Sequence, residues 1–356
     1  MTAETENLTA DPDLIATVTS LFAAKSAHDV VARAESDGFL PDLWKSVADL
    51  GLPLVGIAES AGGSGGSLLD TLAILHAAGQ YAVPLPLAET HLAAWLLSES
   101  GQEVPDGPMT VVPGTARDTL QLKDGALSGI AYDVPWARGG DRIIALVDDE
   151  RGAAQVVAID PGACTITSGS DLAGQPRDAI ELQNADVEAN PSPVDRDSLF
   201  LRGALARSAQ MAGALEAVAT LTRDYVAGRV QFGRPVGTFQ AVQQHVVTLA
   251  QMATMASLNV TRAGRASSRG AATFEICALK QVVDKNASVA VRAAHQAHGA
   301  IGMTQEYRLQ QLTRRLNGWR GEFGDEQQLA LRIGKAISAA GKLEHVITGG
   351  SAVLEV

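Results

Sequence analysis

Hydrophobic residues follow helical spacing in the first hundred residues and again beyond residue 195, whereas short β-type runs fill the middle of the chain. The spacing predicts N-terminal helices over residues 13–34, 40–50, 67–79 and 89–100. Gly, Asp and Pro separate predicted strands in the middle, at residues 110–112, 120–122, 143–147, 155–159 and 179–182. Long apolar stripes predict C-terminal helices over residues 199–226, 246–266, 274–297 and 327–343.

This order predicts an α+β multidomain chain. We expect an N-terminal helical domain over residues 1–106, a middle antiparallel β domain over residues 107–194 and a C-terminal four-helix bundle over residues 195–356. Helices joined by short connections pack as antiparallel neighbours, and bundle surfaces rich in Ala and Leu favour oligomerisation.

Composition narrows the classes of partner. The chain has 356 residues, of which 46% are hydrophobic and 19% charged, as is typical of globular proteins. A formal charge of −12 argues against nucleic acid or an anionic membrane surface as a partner. Cys164 and Cys277 stand alone, which predicts neither a disulfide framework nor a metal site. The polar N-terminus and the lack of a membrane-length apolar run predict a cytoplasmic protein.

A glycine-containing turn separates the first two C-terminal helices. It carries Arg229, Phe232 and, at the start of the next helix, Gln240. A planar guanidinium fork, an aromatic face and an amide are suited to a flat, negatively charged ligand. An ordinary helical hairpin with a solvated arginine is the alternative interpretation.

Two other glycine-containing segments are candidate anion sites. Four glycines crowd residues 62–66, but the flanking residues do not form a phosphate-binding loop, and we interpret these glycines as backbone requirements. A break after residue 298 ends one helix and leaves backbone amides free for an anion. His295 and His298 lie beside this break, without a local carboxylate partner, and we expect them to be structural.

The order of residues in the turn resembles that of a known family. Arg-x-x-Phe-Gly followed by Phe-Gln-x-x-Gln is similar to the flavin-binding turn of the acyl-CoA dehydrogenases, which holds the diphosphate and adenosine side of FAD. The segment that starts at Gln296 resembles the family's Gln-x-x-Gly-Gly segment, which reaches a neighbouring subunit's FAD, although Ala300 replaces the second glycine. The resemblance implies the following FAD-binding residues: Arg229, Phe232, Gln240, Gln296, Ala297, His298, Gly299 and Ala300.

The resemblance also exposes two departures from the family. The loop that lines the flavin and the acyl thioester in full-length relatives is missing before the hairpin near residue 123. Relatives place the carboxylate base at one of two positions. The first carries Phe323 here, and the second falls at Gly203 and Ala204, so neither has a carboxylate. Glu322 lies one residue early and is a weak candidate base; otherwise we expect it to be a solvated acid. Trp136 either faces the flavin ring or belongs to the core, and we favour the core.

These features together resemble the smaller subunit of heteromeric actinobacterial acyl-CoA dehydrogenases that act on steroid side chains. The resemblance implies α,β-desaturation of a bulky acyl-CoA, FAD as cofactor, and a homologous full-length partner in an α2β2 heterotetramer that supplies the base. An electron-transfer flavoprotein-type acceptor is a further implied partner. The alternatives are a self-sufficient homo-oligomeric enzyme that uses Glu322 as its base, and a non-catalytic scaffold of the same fold.

Overall fold

The computed structural model describes residues 9–340 and residue 344. Its helices are α1 (Pro12–Lys25), α2 (His28–Asp37), α3 (Pro41–Ala48), α4 (Leu68–Gln80), α5 (Leu87–Glu99), α6 (Arg196–Gly228), α7 (Gln240–Ser267), α8 (Thr273–His298), α9 (Leu309–Trp319) and α10 (Glu326–Ala340). Its strands are β1 (Met109–Val111), β2 (Gln121–Lys123), β3 (Ala126–Pro135), β4 (Arg142–Asp148), β5 (Ala154–Ile159), β6 (Thr165–Thr167), β7 (Arg177–Asp186), β8 (Glu188–Pro191), β9 (Val230–Gln231) and β10 (Arg234–Pro235). The order of a helical part, a β part and a helical part is as predicted, and none of the described helices is long and apolar enough to cross a membrane.

The prediction of a single helix over residues 13–34 is wrong, because α1 ends at Lys25 and a second helix begins at His28. Ser26 has φ −115° and ψ 50°, outside the helical region, and its N–H still donates to the Phe22 carbonyl. With these dihedral angles the backbone at Ser26 leaves the helical path. The last helix extends as described to Ala340, and the rest of the range predicted to residue 343 lies outside the described residues.

One compact unit contains the helices that carry most of the C-terminal half. It draws on the ranges Met1–His28, Leu68–Val83 and Ala204–Val356. Within it α4 crosses α6 at two glycines: a β-carbon added at Gly79 would lie 1.8 Å from the Gln210 carbonyl oxygen, and one added at Gly213 would lie 1.8 Å from the His76 carbonyl oxygen. The two backbones therefore touch, and only glycine permits this approach.

The other compact unit contains the β part, with the ranges Asp29–Ser67 and Pro84–Gly203. Its strands form two four-stranded sheets, in the orders β1-β4-β5-β8 and β2-β3-β7-β6. Inward-facing residues of both sheets share one core, in which Leu127, Ile143 and Ile180 are fully buried. All pairs are antiparallel except β1 with β4, which run parallel, so the prediction of a wholly antiparallel domain needs this correction.

This unit tests two predictions made from the sequence, one for Trp136 and one for the glycine-rich loop. Trp136 is only 2% exposed, so it belongs to the core as expected. In the glycine-rich loop Gly62, Gly65 and Gly66 have φ of 91°, 65° and 82°, a region that favours glycine. A β-carbon at Gly63 would lie 2.3 Å from the Ile57 carbonyl oxygen. Backbone geometry thus accounts for these glycines.

Candidate functional site

A two-stranded hairpin follows α6 and presents the first candidate residues. Strands β9 and β10 pair in antiparallel fashion, with Gln231 opposite Arg234. The two residues between them, Phe232 and Gly233, have φ of 55° and 79°, as a tight two-residue hairpin turn requires. Phenylalanine rarely adopts a positive φ, so the turn holds the backbone of Phe232 in a conformation that this residue type does not favour. The Arg229 carbonyl accepts from the Val236 N–H at 2.8 Å and closes the base of the hairpin.

The candidate binding side chains at this hairpin are exposed to solvent. Phe232 is 90% exposed, and its ring meets the Phe239 ring edge-on with 6.0 Å between centroids. Arg229 and Gln240 are exposed, and neither side chain bonds to the described part of the chain. Arg234 lies over the Phe239 ring at 4.2 Å. Within the described residues, the hairpin and the start of α7 therefore present to solvent a guanidinium and an amide without partners, together with an aromatic face.

The second candidate segment lies where α8 ends. Gly299 has φ 65° and ψ −144° and stops the helix. Gln296, Gly299 and Ala300 are exposed, whereas Ala297 and His298 are buried. The Nδ1 atom of His298 lies 2.9 Å from the Ala294 carbonyl oxygen, and its buried Nε2 atom has no partner within the described residues.

Both histidines of this segment are embedded in structure. Burial lowers the pKa of His295 and that of His298 below their ordinary values, so both rings are neutral at pH 7. The His295 Nε2 atom lies 3.1 Å from the Thr313 hydroxyl. These contacts agree with the structural role expected for both residues.

An aromatic cluster connects the two candidate segments within this unit. The rings of Tyr225 and His298 stack with 4.5 Å between centroids, and Tyr307 lies 5.7 Å from Tyr225 and 5.1 Å from His298. Tyr225, on α6, lies four residues before Arg229. It falls within the apolar stripe predicted over residues 199–226, but the sequence contained no signal for this stacking.

Glu322 is not the solvated acid that the sequence predicted. Its Oε2 atom lies 2.7 Å from Nη2 of Arg207, whose side chain is 3% exposed. The Arg207 guanidinium lies 5.3 Å from the centre of the Trp319 ring, so an ion pair and an aromatic face enclose it. Sequence reasoning missed Arg207, although a single arginine within an otherwise apolar stretch of α6 was a usable signal.

A second buried pair anchors the turn that carries Glu322. Nζ of Lys280 lies 2.7 Å from both carboxylate oxygens of Asp284, and neither side chain is exposed. The same Nζ atom donates to the carbonyls of Arg320 and Gly324 at 3.2 Å each. Both ends of the turn are therefore attached to α8. Within it Phe323 adopts φ 51°.

Comparisons with known proteins agree with this architecture. Models of the acyl-CoA dehydrogenase N-terminal and C-terminal domains match residues 9–104 and 197–338. The chain is 27% identical to acyl-CoA dehydrogenase IpdE2 of Mycolicibacterium smegmatis, over 86% of this chain and 92% of the relative, and 29% identical to IpdE2 of Mycobacterium tuberculosis, over 85% and 89%. In fold it is similar to the ChsE4-ChsE5 complex of Mycobacterium tuberculosis (TM-score 0.84, 22% identity, covering 93% of this chain and 99% of that one). It is also similar to a variant of the steroid acyl-CoA dehydrogenase Tcur3481-Tcur3483 (TM-score 0.85, 21% identity, covering 92% and 98%).

Proposed function

We propose, since this chain belongs to the acyl-CoA dehydrogenase family, that it is the base-lacking subunit of a heteromeric FAD-dependent dehydrogenase. The enzyme would introduce an α,β double bond into a bulky CoA thioester, such as one with a steroid side chain. FAD is the cofactor of this family. The partner would be a homologous full-length chain in a cytoplasmic α2β2 assembly, with an electron-transfer flavoprotein-type acceptor. The ChsE4-ChsE5 complex and the steroid enzyme Tcur3481-Tcur3483, each named for two proteins, support this choice.

The pairing of Glu322 with Arg207 is the observation that carries the proposal. A general base must bring a free carboxylate lone pair to the α-proton of the acyl group. The Glu322 carboxylate instead lies 2.7 Å from a guanidinium that is almost completely buried. A charge-assisted bond of this kind holds the carboxylate oxygen against Arg207, so that oxygen is not presented to a substrate proton. Phe323 and Gly203, at the two base positions, have no proton-accepting group.

The residues at the hairpin are suited to binding FAD. FAD, when bound, would supply the acceptor of the substrate's hydride. Arg229 would pair with the diphosphate, since its guanidinium is exposed and unbonded within the described chain. Phe232 and Gln240 would contact the adenosine side, and the segment Gln296–Ala300 would contribute to a neighbouring FAD.

Expression of the chain alone and together with a full-length homologue tests the proposal. We expect a colourless lone chain, and a yellow tetramer by light scattering when the partner is present. A yellow, active homo-oligomer of this chain alone would favour the self-sufficient enzyme with Glu322 as base. A heteromer without flavin would favour the non-catalytic scaffold.

Two variants of the heteromer separate the roles of individual residues. Arg229→Ala should release flavin, whereas Arg223→Ala should retain it, because Arg223 is an exposed arginine of α6 that pairs with Asp224. Glu322→Gln should leave the turnover number nearly unchanged. A tenfold loss, which corresponds to about 1.4 kcal/mol of transition-state stabilisation, would contradict the base-lacking assignment.

A further inference from the structure

A cavity of about 620 Å³ lies between α1, α4, α6 and α7, within the compact unit that contains most of the C-terminal half. Three of its lining residues are apolar and buried: Leu69 and Leu72 of α4 and Val260 of α7 are 7%, 4% and 7% exposed. Among the described residues, the lining includes none of the candidate FAD-binding residues. Small-molecule sites are typically cavities of about 300–1,000 Å³ with apolar walls and a few polar groups, so this cavity has the size and lining of a separate ligand site.

Close contacts hold three of these helices in place around the cavity. At the crossing of α4 and α6, Gly213 brings the α6 backbone against the His76 carbonyl oxygen. A β-carbon added at Gly264 of α7 would lie 2.7 Å from Cδ1 of Leu72 on α4, so α7 also approaches α4 closely. Helices packed this tightly do not collapse into an adjoining space, and the cavity is therefore preformed.

A carboxylate with an unused oxygen lines the cavity beside the C-terminal end of α4. Oε2 of Glu216, three residues after Gly213 on α6, lies 3.3 Å from Nε2 of His76. This hydrogen bond lowers the pKa of Glu216 below its ordinary value, so the carboxylate is ionised at pH 7. Its other oxygen, and the amide of Gln80 on the same lining, have no partner within the described part of the chain. Because α4 ends at Gln80, the negative end of its dipole adds to the charge of Glu216.

The charge at this end of the cavity decides which ligand fits. Arg265, also on the lining, directly follows Gly264 and therefore lies at the level of Leu72, nearer the start of α4 than His76 is. The charged group that acts on Glu216 is His76. We propose that the cavity binds an amphipathic amine, with its ammonium group on the free oxygen of Glu216 and its apolar chain against the buried residues of the lining. The site requires neither flavin nor a partner chain, so this inference does not depend on the proposed function.

Calorimetric titration of the full-length chain with octylamine, 1-octanol and octanoate, at pH 7 and low ionic strength, tests the proposal. The three probes have the same apolar chain and differ in the charge of the head group. We expect octylamine to bind about 10-fold more tightly than 1-octanol, as for a hydrogen bond to a charged group, and octanoate to bind most weakly. Glu216→Gln keeps the shape of the side chain but removes its charge, so it should abolish the preference for the amine and leave binding of 1-octanol nearly unchanged. Ala73→Leu, which places a larger side chain on the lining, should weaken binding of all three probes.

Asp224→Asn is the matched control for non-specific attraction of a cation to a chain with a formal charge of −12. Asp224 is an exposed carboxylate of the same helix that pairs with Arg223 and does not line the cavity, so this variant should keep the preference for octylamine.

Three results would overturn the inference: no binding of octylamine, a preference for the amine that survives Glu216→Gln, or tighter binding of octanoate, which would make Arg265 the anchor. Urea unfolding shows whether each variant is folded, and if Ala73→Leu does not fold, the comparison of Glu216→Gln with Asp224→Asn still decides. These outcomes leave the proposed function untouched, because none of them involves flavin or turnover.

Discussion

Lys280→Met tests whether a buried ion pair stabilises the turn that carries Glu322. The substitution keeps much of the side-chain volume but removes the ammonium that lies between Asp284 and the carbonyls of Arg320 and Gly324. Asp284 would then be an unpaired carboxyl in a fully buried position, and two carbonyl oxygens would lose a donor.

The expected magnitude follows from this geometry. Removal of one partner of a buried pair typically costs about 3–5 kcal/mol. Burial already raises the pKa of Asp284 to about 7 despite the lysine, so the orphaned carboxyl will take up a proton and limit the loss. We therefore expect a loss of about 3 kcal/mol at pH 7.

The sign of the pH dependence is fixed by that raised pKa. A carboxyl whose pKa is higher in the folded state binds its proton more strongly when folded, so acidification favours folding. Without the lysine this pKa rises further. The difference between Lys280→Met and the unmodified protein should therefore shrink as the pH falls from 8 to 6.

Urea unfolding at 25 °C, followed by circular dichroism, measures the change in free energy. Lys45→Met is the matched control, because Lys45 and Asp49 form the same i,i+4 pair at 2.8 Å but with side chains 74% and 59% exposed. We expect the control to lose less than about 1 kcal/mol. Lys280→Met with Asp284→Leu should recover most of the loss, since no charge is left unpaired. A Lys280→Met effect as small as that of the control, or a double variant less stable than the single one, would refute the reasoning.

Two further predictions concern the glycine crossing and the buried histidine. Gly213→Ala should destabilise the protein by about 1–3 kcal/mol or more, since its β-carbon would meet the His76 carbonyl oxygen at 1.8 Å. Gly334→Ala in α10, with nothing within 4 Å, should instead gain up to about 1 kcal/mol in urea unfolding, and equal effects would contradict the close crossing. Burial and the positive charge of Arg202 lower the pKa of His91 from its ordinary value of 6.5 to about 3 in the folded protein, so the unfolded state binds the extra proton and stability falls as the pH drops below 6.5. His91→Gln should remove about 1.4 kcal/mol per pH unit of this dependence between pH 6 and 4, and an unchanged slope would show that His91 is not buried as a neutral ring.

Local patterns were sufficient for the order of the parts and for most of the helices, but not for every element, since β3 and β8 were not predicted. The stripe over residues 199–226 predicted α6, and the stripe over residues 274–297 predicted α8 to within a residue at each end. Helical and extended periods depend on neighbours a few positions apart, so one sequence reveals them. The glycine-containing turn after Arg229 was equally visible, because its residues are contiguous, although its two short strands, β9 and β10, were not predicted.

Tertiary structure decided the features that depend on distant partners. Nothing near Glu322 indicates that Arg207 neutralises it, since 115 positions separate the two residues and only the packing of α6 brings them together. The contact of Gly213 with the backbone at His76 and the parallel pairing of β1 with β4 are likewise invisible in local spacing. A residue's period predicts which face it lies on, but its partner is set by how whole elements pack. The sequence by itself therefore determined the order of the three parts and the position of the turn after Arg229, and only the folded chain decided which charges are paired.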